Sequence, residues 1–535
     1  MILKMIRKLG RIFILCLPFF LFFPFSLKIS GQGQKSGNPV YGGVFRIKSL
    51  SDTFHMQLDP VQPDSYIFLS EQLYDGLVRL DKNLKIAPSL ADYWMISSDG
   101  RKYTFFLKKD VRFHHGEELT AEDVKFSLER LLNKEVNSPY YEIFLPKIVG
   151  AQEYRAGKNL EVTGIKVVNR YTVEIEWISP YVPALYLLNM HFCKILPREK
   201  VLSQEANFFL KPSGTGPFEF DYWLRDTRLN EVGVRLVRNE EYFRGRPYLD
   251  ALEFCPLYNL DHFVNEEIDS IPVLSERLLR SNYQIFQDGS LQLICLGMSC
   301  HIAPLDKPAV RRAVLAGINK KELVEAVQEI RYLRKVTHRF ISPKVPGFLT
   351  VEDSETFDPN EARQELREAG FSSERFLSLT LYLEVPRTDF KHKIYRELKD
   401  QLDKVGIDLR GRYFRSLEDV RESGGPYLVL VDRMMNMPDP EDIIRPLFSS
   451  TVGSNLLGYA SQEIDGLLKE AEAEKSWTKR IKIFRRIEEI LLEDVPAIPL
   501  YFQQNQVAMQ PYVRGVAVPP LGLYYLEARK IWLNK

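Results

Sequence analysis

One polar loop carries the residues best suited to bind a small molecule. Leu428–Val431 predicts a β-strand, and Asp432 and Arg433 begin the loop that follows it. A carboxylate can pair with a ligand cation, and a guanidinium can bind a ligand carboxylate. Three methionines that could add an adaptable apolar surface come next: Met434, Met435 and Met437. Because binding residues often lie at strand ends, we predict a ligand site at 428–442; the alternative is a surface pair of Asp432 with Arg433 and methionines in the core.

A second candidate site is a glycine turn. Gly214, Thr215 and Gly216 lie within the segment SGTGPF at Ser213–Phe218. Glycine allows a backbone to approach a ligand closely, so the turn could contact a bound molecule. A turn that only connects two domains has the same pattern, and this alternative stays open.

Signatures of catalysis are absent from the sequence. It contains no G-x-S-x-G, H-E-x-x-H, C-x-x-C or G-x-x-x-x-G-K-[ST] segment. Of eight histidines only His114 and His115 are adjacent, and neighbours on a strand point to opposite sides, which makes them a poor metal pair. We therefore expect no catalytic residue, no metal site and no cofactor, and we favour a binding protein over an enzyme.

Charge and length narrow the class of protein. The 535 residues suggest three or four domains, or one large composite fold. Lys and Arg number 72 and Asp and Glu 71, which argues against nucleic acid as a partner because phosphate binding needs a basic surface.

The N-terminus has the layout of a secretory signal. Met1–Arg11 is basic, Ile12–Phe25 is almost wholly apolar, and small and polar residues follow. The apolar run is about 14 residues, shorter than the roughly 20 that a membrane-spanning helix needs. We predict a signal peptide at 1–30 and a periplasmic or otherwise extracytoplasmic protein; the alternative is an uncleaved N-terminal membrane anchor. Export would leave four cysteines, either in one or two disulfides or as buried thiols: Cys193, Cys255, Cys295 and Cys300.

Strand and helix patterns alternate without strict βαβ order. Residues 163–178 predict a hairpin around an Asn-Arg turn. Thr120 with Asp123 predicts the start of a helix, and Asp358 before Pro359 predicts another. Long helices mixed with strands indicate a multi-domain α/β protein.

Several segments together resemble one family. Residues 73–134 contain, in order, YDGL, APSLA, YTF, VRFHHGE and LTAEDV, and SGTGPF follows at Ser213–Phe218. Ala309–Glu322 (AVRRAVLAGINKKE) continues the pattern, which covers about residues 40–520. This pattern resembles the extracellular solute-binding protein family 5, the peptide- and nickel-binding components of ABC importers.

The resemblance implies an α/β fold of the periplasmic-binding-protein type II, with two lobes, an extra domain and a hinged ligand cleft. Domain I would be discontinuous, at 38–75, 212–290 and 506–535. Domain II would be 76–211 and domain III 291–505. Two segments that cross between the lobes would form the hinge.

The same resemblance implies a function. The chain would be an exported, monomeric receptor that binds a peptide-like solute and delivers it to the permease and ATPase subunits of an ABC importer. Alternatives within this fold are nickel complexes, opines or sugars as ligands, or use as a sensor. An exported hydrolase with an unrecognised carboxylate site is a further alternative.

One position departs from the family pattern. In peptide-binding members an Asp that pairs with the peptide's ammonium group lies three residues before the Asp of an Asp-Pro pair. Here that position is Asn436, before Asp439 and Pro440. Asn carries no charge, so we expect altered recognition of the ammonium group, with Asp432 as the replacement carboxylate.

Overall fold

The computed structural model describes residues 37–48, 54–62, 66–272, 278, 282–327, 335–348, 356–372, 374–422, 424–451 and 455–535. The predicted signal peptide, residues 1–30, and the alternative membrane anchor lie outside these ranges. Within them, no helix has both the length and the apolar character that crossing a bilayer requires.

Strands and helices alternate irregularly along the described chain. The strands are β1 Val44–Lys48, β2 Val78–Leu80, β3 Ile86–Pro88, β4 Ala91–Ile96, β5 Lys102–Leu107, β6 Ile165–Asn169, β7 Thr172–Glu176, β8 Phe218–Arg225, β9 Glu231–Arg238, β10 Ala251–Cys255, β11 Ser270–Ile271, β12 Gln284–Met298, β13 Lys335–Val336, β14 Leu377–Glu384, β15 Ile407–Phe414, β16 Tyr427–Met434, β17 Ala497–Met509, β18 Val513–Arg514 and β19 Trp532–Leu533. The helices are α1 Ile67–Leu73, α2 Ala121–Leu132, α3 Tyr141–Phe144, α4 Ala151–Arg155, α5 Ala184–Leu188, α6 Arg198–Gln204, α7 Leu260–Val264, α8 Pro308–Ala316, α9 Lys320–Val327, α10 Pro359–Glu368, α11 Asp389–Asp403, α12 Leu417–Arg421, α13 Glu441–Phe448, α14 Gln462–Ala473 and α15 Trp477–Asp494.

One large sheet runs through two lobes. Among the described residues its order is β15–β14–β16–β12–β17–β11–β1–β10–β9–β8, with β13 beside β17. The strands β12 and β17 pair along nearly their whole lengths and belong to both lobes. A separate sheet, β4–β5–β7–β6, belongs to the predicted domain II. The fold is therefore a mixed α/β fold of two lobes joined by two long strands.

The pairing pattern fixes the direction of each strand. β1 runs parallel to β10 and β11, while β11 is antiparallel to β17. β16 runs parallel to β14 and antiparallel to β12. β12 runs from the first lobe to the second, and β17 runs back. β1 and β10 therefore run in the direction of β12, towards the second lobe. β14 and β16 run in the opposite direction, towards the first lobe. The carboxyl ends of the two groups, at Lys48 and Met434, therefore face each other.

The ladder between the two long strands is interrupted midway. Gly289 pairs with Gln504, but the next pair is Leu293 with Phe502, so β12 carries extra residues in between. Such an irregularity bends a strand and weakens its local pairing. It lies between the two lobes, where a hinge would have to bend.

Separate apolar cores hold the parts of the molecule together. The first contains residues from Val61 to Ile195, and the second joins Phe45 to residues as distant as Leu533. Two further cores cover the opposite faces of β12, β14 and β16. They lie largely within the three predicted domains, although Leu84 and Leu521 pack into the core of the second lobe. The exact domain boundaries remain a prediction.

Local predictions about turns and helix ends are confirmed. β6 and β7 form the predicted hairpin. Thr120 and Asp123 form a capping box at the start of α2, and the Asp358 side chain accepts hydrogen bonds from the first turn of α10. These elements depend on neighbouring residues only, so their sequence pattern is sufficient to specify them.

From the sequence, the four cysteines after the predicted signal peptide are expected to form either disulfides or buried thiols. Cys193, Cys255, Cys295 and Cys300 are free thiols in this structure. Burial raises the pKa of Cys295 to about 12 and that of Cys300 to about 11, which keeps both protonated at neutral pH. Stability therefore comes from core packing and not from these residues as disulfides.

Candidate functional site

The two opposed strand edges form the candidate site. In open α/β sheets, ligands bind outside the carboxyl ends of parallel strands. On the first lobe this edge borders a cavity of about 360 Å³. Its lining comes from the end of β1, the loop after β10 and β11: Lys48, Pro256, Leu257, Tyr258, Asn259, Leu260 and Ile271. The Lys48 ammonium donates to the Pro256 carbonyl at 2.7 Å, which ties the ends of the parallel strands together.

Asp432 lies on the edge of the second lobe, near the end of β16. Its Oδ1 accepts a hydrogen bond of 2.6 Å from Gln292 Nε2 on β12. The residue as a whole is exposed, while desolvation of the carboxyl group raises the pKa of Asp432. The structure thus places the predicted carboxylate beside the interruption between the two long strands, with its orientation fixed by a neutral amide.

Arg433 and Asn436 contact the start of α13. Arg433 Nη2 donates to the Asp442 carbonyl at 3.3 Å, and the backbone N–H of Asn436 donates to the Asp442 carboxylate. The Asn436 side chain is exposed. Asp432 and Arg433 therefore have different partners. The alternative interpretation expects them instead to pair with each other at the surface. Asp442 fixes the backbone of the loop and leaves the Asn436 amide at the surface.

The methionines lie mainly in apolar cores. Met435 is fully buried in the core of the second lobe, and Met434 packs partly against it. Met437 packs against a different core, that of domain II, and not against the core of the second lobe that contains Met435. The loop therefore contributes to packing between lobes, as the alternative interpretation of the methionines expected.

Asp439 lies in the interior of the second lobe. Its side chain and that of Arg480 are both fully buried and form an ion pair. Arg480 also binds Glu441 at 2.6 Å and donates to the Ala471 carbonyl at 2.9 Å. Asp439 in turn accepts the Glu441 N–H at 2.9 Å. These contacts satisfy the Asp439 carboxylate inside the second lobe, away from the strand edge on which Asp432 lies.

The glycine turn packs against backbone. A Cβ atom on Gly214 would lie 1.9 Å from the Leu73 carbonyl oxygen, and one on Gly216 would lie 2.3 Å from that of Gln72. Thr215 Oγ1 donates to Asp75 at 3.3 Å, so its hydroxyl is used inside the protein. Glycine is required here for the close approach of two chain segments.

Asp75 is a buried acceptor that the sequence pattern did not single out. It accepts hydrogen bonds from Tyr242 at 3.0 Å and from Ser89 and Thr215, each at 3.3 Å. Burial and then the Asp75 charge raise the pKa of Tyr242. Asp75 appears in sequence only as half of an Asp-Gly turn, and its donors come from distant segments, so no local signal identifies it.

A second, strongly charged cavity of about 430 Å³ lies beside Asp75 and is bordered by residues 71–89, the C-terminal segment and Asp288 of β12. Arg79, Arg244 and Arg529 line it together with Glu527. None of the sequence-predicted site residues is part of its lining. Within the described residues, no group of three or more His, Cys, Asp or Glu side chains is placed to hold a metal ion.

Comparisons with known proteins identify the family. The family model described as "Bacterial extracellular solute-binding proteins, family 5 Middle" matches residues 85–455. The dipeptide-binding protein of Escherichia coli (strain K12) is 25% identical over 498 residues, which cover 86% of this chain and 90% of that protein. Heme-binding protein A of Haemophilus influenzae is 26% identical over 500 residues, which cover 86% of this chain and 87% of that protein.

Solved structures share the fold. HbpA2 from Haemophilus parasuis matches with a TM-score of 0.79 and 24% identity, covering 92% of this chain and 100% of that one. DppA from Helicobacter pylori, in complex with the peptide STSA, matches with a TM-score of 0.70 and 23% identity, covering 93% of this chain and 99% of that one. The matched segment, at more than half of the chain, shows that this protein belongs to the bacterial extracellular solute-binding proteins of family 5.

Proposed function

We propose that this chain is the exported receptor of an ABC importer, which binds a peptide-like solute between its lobes and delivers it to permease and ATPase subunits in the membrane. The observation that carries the proposal is the opposition of two carboxyl-terminal strand edges across a pair of hinge strands. Ligands bind at such edges, and two long strands allow the lobes to close on them.

The distance between the edges suits an extended peptide. Lys48 lies about level with Ile285 on β12, and Met434 pairs with Gln292. Because β12 carries extra residues in this interval, the length is better counted on β17, where the interval runs from Ala508 to about Gln503. Five steps of about 3.3 Å span roughly 17 Å, which accommodates a peptide of a few residues. Relatives of this chain are named dipeptide-binding and oligopeptide-binding proteins, and three of the similar structures contain bound peptides.

The charge of the candidate residues supports a ligand with a free ammonium group. Asp432 is the exposed carboxylate near the end of β16, whereas Asp439 is occupied by Arg480. A cation that leaves water needs a carboxylate partner, and Asn436 supplies only a neutral amide. We propose that Asp432 binds the ammonium group, with Arg433, Met434 and Asn436 around it and Met435 and the turn Gly214, Thr215 and Gly216 supporting the fold.

The family consists of substrate-binding proteins, so the proposal includes no catalytic step and no cofactor. It includes export by residues 1–30 and action as a monomer outside the cytoplasm. Mass spectrometry of small molecules that co-purify with the protein, followed by calorimetry with the peptides found, tests it. Binding of peptides without turnover is expected; chemical conversion of the bound molecule would contradict the proposal.

A further inference from the structure

Three arginines from distant segments meet in the 430 Å³ cavity beside domain II. Arg79 belongs to β2, Arg244 follows β9, and Arg529 lies close to the C-terminus. Arg529 Nη1 donates to the backbone carbonyl of Arg244 at 3.1 Å, which fixes the Arg529 side chain against the Arg244 segment. Three lysines complete the six cations of this lining: Lys82, Lys194 and Lys530.

Five carboxylates line the cavity beside its six cations, and all five already have partners. Glu71 pairs with Lys194 at 2.7 Å, Asp288 pairs with Lys344, and Asp81 accepts two backbone N–H groups. Glu527 binds Arg244 at 3.0 Å and Arg529 at 3.7 Å, and it also pairs with Lys530. Burial raises the pKa of Glu527, but the charges of Lys530, Arg244 and Arg529 outweigh it and the pKa falls below its usual value. Asp75, the next carboxylate, accepts hydrogen bonds from three hydroxyl groups and lies 3.5 Å from Arg244.

Two of the guanidinium groups retain unused donors. The Nε atoms of Arg79 and Arg529 are buried and have no hydrogen-bond acceptor among the residues that the structure describes. Arg79 donates only a weak bond, of 3.4 Å, to the carbonyl of its neighbour Leu80. Burial, followed by the charge of Arg244, lowers the pKa of Arg79. A buried donor without a partner costs free energy, so this arrangement favours an added acceptor.

We propose that Arg79, Arg244 and Arg529 form a binding site for a small oxyanion, distinct from the cleft between the strand edges. Guanidinium groups bind phosphate and carboxylate through paired N–H donors, and a partly enclosed cavity strengthens such contacts. The shared chemistry is an anion with several oxygen atoms. Its source is either inorganic phosphate or a small organic acid that carries more than one carboxylate.

Thermal unfolding and calorimetry with sodium phosphate and with sodium citrate, each against sodium chloride at equal ionic strength, test the site. One or both oxyanions should raise the melting temperature of the full mature chain by several degrees. The oxyanion that raises the melting temperature more identifies the source. The Arg79→Gln variant removes one cation without breaking an ion pair of Glu527, and it should weaken binding at least tenfold. The Arg410→Gln variant is the control, because Arg410 is exposed on the other lobe and pairs with Asp408 at 3.0 Å.

Two further results separate this site from a merely structural cluster. In chloride alone, Arg79→Gln should melt no lower than the wild type, because removing one crowded cation relieves repulsion. If that variant fails to fold, Lys530→Gln, whose side chain is half exposed, should weaken oxyanion binding in its place. Peptide binding should be unchanged in either variant, so the test is independent of the proposed function. Absence of binding by both oxyanions, or equal binding by wild type and Arg79→Gln, would overturn the inference.

Discussion

Gln292 and Asp432 connect a hinge strand to the candidate ligand loop. Gln292 Nε2 donates to Asp432 Oδ1 at 2.6 Å, and the two residues are 140 positions apart in sequence. Gln292 lies within the interruption of the ladder between β12 and β17, while Asp432 lies two residues before the end of β16. The carboxylate that we propose as the ammonium partner is therefore oriented by a residue of the hinge.

The first prediction concerns the charge of Asp432. Asp432→Asn should weaken binding of peptides with a free N-terminus by roughly 10- to 100-fold, because a hydrogen bond to a charged group contributes about 1.5–3 kcal/mol. Calorimetry with a free tripeptide and its N-acetylated form measures the effect. The wild type should prefer the free peptide, and the variant should lose that preference.

Asp92→Asn is the matched control, because Asp92 is exposed on domain II and pairs with Lys108 at 2.7 Å. It should leave peptide affinity unchanged. If Asp432→Asn or Asp432→Ala binds free peptides as tightly as the wild type does, Asp432 is not the ammonium partner.

The second prediction concerns stability at acidic pH. His191 is buried against Tyr140 and Phe192. Burial, followed by the charge of Lys194, lowers the pKa of His191 to about 3. The unfolded chain, with a histidine pKa of about 6.5, then binds the proton more readily than the folded chain. The contribution of His191 is complete above pH 6.5 and is lost at about 1.4 kcal/mol per pH unit below it, or about 3 kcal/mol by pH 4.

Urea unfolding of the wild type and of His191→Phe at pH 7 and at pH 4.5 measures this difference. Phenylalanine suits the aromatic surroundings and does not titrate, so the variant should lose less stability between the two pH values. Parallel losses in both proteins would show that His191 is not responsible.

The third prediction concerns the glycine turn. Gly214→Ala should lower the free energy of unfolding by at least about 1–3 kcal/mol, because its Cβ would collide with the Leu73 carbonyl. Gly466→Ala is the control: Gly466 lies within α14 with open space around it, so alanine should stabilise the protein by roughly 0.5–1 kcal/mol. Equal effects of the two substitutions would argue against the packing role assigned to Gly214.

The fourth prediction concerns the buried ion pair. Arg480→Met should destabilise the protein by about 3–5 kcal/mol, since it leaves Asp439 and Glu441 buried without their cation. Arg486→Met, which removes a half-exposed arginine from the same helix, should change stability by less than about 1 kcal/mol. Denaturant unfolding measures both. A small effect of Arg480→Met would mean that the two carboxylates find other partners or become protonated.

The sequence allows prediction of features that depend on neighbouring residues. The hairpin β6–β7 and the capping box of Thr120 with Asp123 follow from short patterns, and the structure contains both. The family resemblance extends this to the fold, because its segments occur in the same order along most of the chain.

Contacts between distant residues lie beyond such patterns. Asp439 resembles a loop residue in sequence, yet its partner Arg480 is 41 positions later and holds it in the interior. Arg79, Arg244 and Arg529 meet only because the C-terminal segment folds back onto domain II. In each case the partner is determined by tertiary packing, which a single sequence does not specify.

If the lobes close on a bound peptide, the distance between the two strand edges should shorten when the peptide binds. Leu257 and Val385 are exposed, beside the ends of β10 and β14, and suit spin labels attached to introduced cysteines. With peptides recovered from the purified protein, the distance between labels should shorten by several ångströms, this shift should require Asp432, and the peptides should be recovered intact. An unchanged distance with peptide bound, or hydrolysis of the peptide, would contradict the proposed function.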